Sequence, residues 1–144
     1  MASRAHPNRL GIRGWVVGGR WGYERYLYTL HRLSGLALLL YFTMHIFVTS
    51  TRAIGPESWK QAMDVVSGPL FSIGEFLVFA AFVFHAVNGV RLGAIELGFA
   101  VGKPIEPVYP YQTSVGGQRR LAKAVLMIAF VVALWGGLDF FVLK

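Results

Sequence analysis

Three long apolar stretches dominate the chain and fix its class before any single residue is weighed. Residues 33–51 contain no formally charged side chain and one strongly polar interruption, His45. About 20 apolar residues cross a bilayer as a helix, so this stretch predicts a first span over about 26–50. A second region starts at Pro69, carries Glu75 early and is uncharged from Phe76 to Val90, predicting a span over about 69–93. The third runs from Ala124 to Leu143, with Asp139 near its end, and predicts a span over about 121–143. The expected fold class is all-α: an integral membrane protein of three transmembrane helices. Residues 1–25 precede the spans as a basic arm, and Pro104, Pro107 and Pro110 mark Gly102 to Gln118 as a loop.

Composition agrees with the pattern. The 144 residues are 55% hydrophobic and 15% charged, with no cysteine, and the mean hydropathy is +0.52. Soluble domains carry roughly a quarter charged residues. Without Cys, a disulfide framework, a thiolate metal site, covalent haem attachment and a Cys nucleophile are excluded. Any metal would be held by His or carboxylate.

Lys and Arg number 14 against 7 Asp and Glu, a net +7. Their positions explain the excess. The arm holds Arg4, Arg9, Arg13, Arg20 and Arg25, and the second connection holds Lys103, Arg119, Arg120 and Lys123. Between the first two spans stand only Arg52 and Lys60, beside Glu57 and Asp64. Because basic residues stay on the cytoplasmic side, the amino terminus and second connection are expected inside, the first connection and carboxyl terminus outside. Topology accounts for the charge, and no nucleic-acid motif competes. The arm has no apolar core of a cleaved signal peptide. Its Gly- and Arg-rich residues 7–22, with Trp15 and Trp21, form no phosphate loop and are expected near the membrane interface.

Polar side chains inside a bilayer are costly and usually mark function. Here they are His31, Arg32 and Ser34, then His45, Glu75, His85, Asn88, Arg91 and Asp139. His31 and His45 are 14 positions apart, roughly 21 Å along a helix, and so lie near opposite membrane faces. An intramembrane His can bond a neighbouring helix, relay protons or ligate a b-type haem. The surroundings of His85 favour the last. Asn88 and Gly89 share its helical face, Gly89 leaves room for a flat macrocycle, and Arg91, about 9 Å further on, suits a propionate. Ser34 could simply bond its own backbone. Glu75 and Asp139 are placed to reach water near the external boundary, His6 is expected solvated in the arm, and Met44 and Met127 read as packing.

HRLSG at His31 to Gly35, followed by HAVNGVR at His85 to Arg91, resembles the cytochrome b membrane-anchor subunit of succinate dehydrogenase and the related fumarate reductases. The resemblance implies complex II partners: a flavoprotein with FAD, an iron-sulfur subunit and a second membrane-anchor subunit completing the helical bundle. It implies that His85 is an axial ligand of haem b, with the opposite ligand on the companion anchor, and that Arg32 lies near the propionates and the quinone site. By extension His31 and Arg91 become propionate or quinone contacts and Ser34 a quinone contact. Some relatives have Ser where Tyr28 stands, which leaves Tyr28 as the candidate quinone contact there. Leu92 replaces a second His of some relatives, and Glu96 stands near an Asp of others. Two-haem members carry a ligand late in the first span, where His45 fits, so the implied content is one haem b, or two if His45 ligates another.

The expected function is anchorage of a succinate:quinone oxidoreductase in a prokaryotic cytoplasmic (inner) membrane. Electrons would pass from the iron-sulfur subunit to quinone, and succinate would never touch this chain. The rival is a haem-free helical subunit of a transporter or another membrane complex.

Overall fold

A computed structural model describes residues 11–12, 23–99, 106 and 115–143. The rest of the arm, with His6, Trp15 and Trp21, and nearly all of the Pro-rich connection lie outside the described residues. Among the described residues four helices follow in chain order: α1 (Tyr23–Ile54), α2 (Pro56–Val66), α3 (Pro69–Glu96) and α4 (Val115–Phe141). Three of them, α1, α3 and α4, are long and apolar enough to cross a membrane. The fold is all-α and of integral membrane type.

The local sequence explains where the helices start and stop. Glu24 in the first turn of α1 and Arg52 in its last both complement the helix dipole. Gly55 breaks the helix at φ +152°, and Pro56 follows at the first position of α2, where a missing N–H costs nothing. Pro69 opens α3 in the same way. At its far end Gly98, at φ +83°, supports a Schellman closure: Phe99 N–H donates to the Ala94 carbonyl at 3.0 Å and Gly98 N–H to Ile95 at 3.0 Å.

Two elements differ from the sequence expectation. The first connection contains α2, an amphipathic helix with no buried residue, whose apolar Trp59, Met63 and Val66 recur at helical spacing. Trp59 lies under the Arg52 guanidinium at 5.0 Å. The fourth helix begins at Val115, inside the stretch expected to be loop as far as Gln118. Its first turns are polar, so hydropathy alone places the start too late.

Helix α3 is the middle element, packed against α1 on one side and α4 on the other, while α1 and α4 barely touch. The core is small: Leu27, Val83, Phe84, Ala122 and Ala129, with Phe79, Val87 and Val132 against it. Near the end of α4, Gly136 and Gly137 receive the rings of Phe79 and Phe76. Outward apolar side chains such as Leu36, Leu39, Leu40 and Phe130 stay exposed, as suits lipid and subunit contact.

Candidate functional site

One end of the bundle, where α1 and α4 begin and α3 finishes, gathers most of the polar side chains. The chain directions cause this, since α1 and α3 run antiparallel and bring His31 level with His85. The two imidazoles stack with ring centroids 3.9 Å apart and planes 10° from parallel. His85 Nδ1 lies 3.1 Å from Ser34 Oγ and 3.1 Å from the His31 carbonyl oxygen. Ser34 Oγ in turn donates to that same carbonyl at 3.0 Å. Beside them the His85 ring edge crosses Gly35 so closely that a Cβ there would come within 2.9 Å of Cε1. His31, Ser34 and Gly35, at spacing i, i+3 and i+4, thus form one face of α1 turned toward α3.

Further along α3, Asn88 is wholly buried and Arg91 nearly so. Arg91 Nε donates to Asn88 Oδ1 at 3.0 Å. Two buried polar atoms of this cluster, His31 Nδ1 and Asn88 Nδ2, have no hydrogen-bond partner among the described residues. A Cβ on Gly89 would meet His31 Cε1 at 3.7 Å, an ordinary van der Waals contact, so it is the His31 ring that lies beside the helix there. Above the cluster, Glu24 accepts from Arg119 Nε at 2.9 Å, tying the start of α1 to α4.

Arg32 and Tyr28 occupy an adjoining, exposed face of α1. Arg32 Nη1 donates to the Tyr28 hydroxyl at 2.9 Å, and both Arg32 and Arg25 lie over the Tyr28 ring, at 5.3 Å and 5.7 Å. Sequence reasoning named both residues but did not foresee that they would bond each other.

His45 is elsewhere. It is exposed, near the opposite end of α1, and stacks against Tyr41 at 5.5 Å. With Trp59, Met63 and Glu75 it lines a largely apolar cavity of about 360 Å³ between α1, α2 and the start of α3. Glu75 faces this cavity, and Asp139 is exposed at the end of α4. Among the described residues no three His or carboxylate groups converge as a metal site. The structure therefore brings His31, Ser34, His85, Asn88 and Arg91 together, sets Tyr28 and Arg32 beside them, and leaves His45 apart. Asn88 as the bonding partner of Arg91 was missed; its i+3 spacing to Arg91 was the available signal.

Known membrane subunits resemble this chain in sequence. The chain is 26% identical over 66 residues to the succinate dehydrogenase 2 membrane subunit of Mycobacterium tuberculosis, a match covering 46% of this chain and 48% of that relative. It is 31% identical over 91 residues to the succinate dehydrogenase hydrophobic membrane anchor subunit of Halobacterium salinarum, covering 60% of this chain and 70% of the relative. No solved structure matches it. The model of the succinate dehydrogenase/fumarate reductase transmembrane subunit matches residues 18–138, taking in all three spanning helices almost whole, and the chain belongs to that family.

Proposed function

We propose that this membrane anchor serves a succinate:quinone oxidoreductase by holding a haem b through His85 and by forming part of a quinone site with Arg32 and Tyr28. The catalytic partners are a flavoprotein and an iron-sulfur subunit docked on the side where α1 begins, with a second anchor subunit in the membrane. The family supports the anchoring role. The basic arm and second connection support a cytoplasmic placement of that side, in the inner membrane of a prokaryote.

The observation that carries the haem reading is unmet polar demand inside an apolar bundle. Among the described residues, His31 Nδ1 and Asn88 Nδ2 are buried without partners, and the almost wholly buried Arg91 makes one hydrogen bond, to Asn88. A buried cation and idle polar groups are costly unless something acceptor-rich lies beside them. Haem propionates are such groups. His85 meets the other requirement, because the two hydrogen bonds its ring makes among the described residues both use Nδ1, leaving Nε2 for iron. Bound there, haem b supplies a one-electron carrier within the membrane.

The quinone role rests on the chain's own donors. Arg32 is always charged and presents a planar fork, and the Tyr28 hydroxyl holds it by one arm. A quinone oxygen gains negative charge as two electrons and two protons are taken up, and Arg32 would stabilise that charge. Ubiquinone and menaquinone both present such a carbonyl.

Purification of the intact complex tests the reading. A reduced b-type spectrum is expected, with one haem per complex; a ratio of two would require a second ligand set, for which His45 is this chain's candidate. In His85→Leu, haem content is expected to fall to background while succinate oxidation by soluble dyes persists. An unchanged haem spectrum in an assembled His85→Leu complex would remove His85 as the ligand.

A further inference from the structure

We infer that Ser34 is a positioning residue for the His85 imidazole, fixing its tautomer and aim, and is not itself a quinone contact. The inference deepens the haem reading above and rests on it. A carbonyl oxygen only accepts hydrogen bonds, and His85 Nδ1 lies 3.1 Å from the His31 carbonyl. An unprotonated Nδ1 at that distance would set two acceptors against each other. The proton therefore sits on Nδ1, and the lone pair on Nε2.

Ser34 completes the arrangement. Its single hydroxyl hydrogen is directed to the His31 carbonyl at 3.0 Å, which leaves an oxygen lone pair to accept from His85 Nδ1–H at 3.1 Å. The residue is 5% exposed, so the hydroxyl offers no hydrogen toward a substrate. Meanwhile the absent side chain of Gly35 admits the ring edge, since a Cβ would sit 2.9 Å from Cε1. The parallel His31 ring restricts tilt. HRLSG and HAVNGVR, on separate helices, are thus one device: the first motif is the cradle of the imidazole carried by the second.

The physical consequence is electronic as well as steric. A hydrogen-bond acceptor on Nδ1 raises the basicity of the ligating nitrogen, and such bonds are a lever on haem potential. Removing the Ser34 oxygen lessens donation to iron and destabilises its oxidised form. In the assembled complex, Ser34→Ala is expected to keep haem, raise its midpoint potential and shift or broaden the low-spin ferric resonance of the haem; Ser34→Thr, which restores the hydroxyl, returns both toward the parent values. Should Ser34→Ala not assemble, Ser34→Cys keeps the volume with a poor acceptor and is read in the same way. An unmoved potential and resonance in the haem-loaded Ala or Cys variant overturns the proposal, as does a change confined to the KM for quinone. A parent complex without haem overturns the haem reading itself, and this inference with it, before any substitution is made.

Discussion

At the scale of single residues, Arg32 is distinguished by its company. One of its nitrogens is taken up by Tyr28, on an exposed face of α1 beside the His31 and His85 stack. A hydrogen bond to a charged group is worth about 1.5–3 kcal/mol, which is about ten- to a hundredfold in rate if it is made only in the transition state. Arg32→Ala is therefore expected to lower kcat/KM for quinone by about that factor, with dye-linked succinate oxidation and assembly intact. Arg32→Lys, which keeps the charge and loses the fork, should fall between. Tyr28→Phe removes the hydroxyl that holds the guanidinium, so it should weaken quinone reduction less than Arg32→Ala does. Normal quinone kinetics in both Arg32 variants would leave the residue as a lipid anchor and move the site to partner subunits.

At the scale of helices, packing depends on a few close approaches in a bundle with little core. Phe79 and Phe76 fit against Gly136 and Gly137, so a methyl on Gly136 has nowhere to go unless the Phe79 ring moves. Overpacking of this kind costs about 1–3 kcal/mol. Gly136→Ala should lower the thermal stability of the purified complex without altering its haem spectrum, because the contact lies at the end of α4 away from His85. Unchanged stability would show that α3 and α4 separate easily there.

The helices also show what one dimension of sequence conceals. Long charge-free stretches, 33–51 and 76–90, reveal α1 and α3, because a charged side chain within a bilayer is costly unless it finds a partner. Helix α2 escaped because 11 residues of mixed polarity look like a connection, although Pro56 and the spacing of Trp59, Met63 and Val66 were visible. The polar start of α4 escaped for the opposite reason, as hydropathy sees only the lipid-facing part of a helix. His85 could be singled out by its face-mates Asn88 and Gly89, which lie on its own helix. Its bond to Ser34 could not, because the register between α1 and α3 is written in no single helix's periodicity.

Taken whole, the molecule is polarised between its ends. One holds stacked imidazoles, buried Arg91 and the bridge from Arg119 to Glu24; the other holds α2 over an apolar cavity that includes His45. On the orientation proposed above, the first end faces the cytoplasm. Since the chain has no cysteine, single Cys residues at Ser3, Ser58 and Ser114 can be labelled without background. A membrane-impermeant reagent applied to intact cells is expected to reach Ser58→Cys and spare Ser3→Cys and Ser114→Cys; the reverse pattern would invert the topology.

The close passage of the His85 ring over Gly35 has a consequence for descent. A position that must lack a side chain only because an imidazole crosses it is hostage to that imidazole. In lineages that lose the histidine of the second motif, the demand for glycine in the first is lifted, and larger residues should accumulate there. Lineages that keep the histidine should tolerate nothing bulkier. Positions 35 and 85, fifty residues apart in the chain, should then be inherited as a pair.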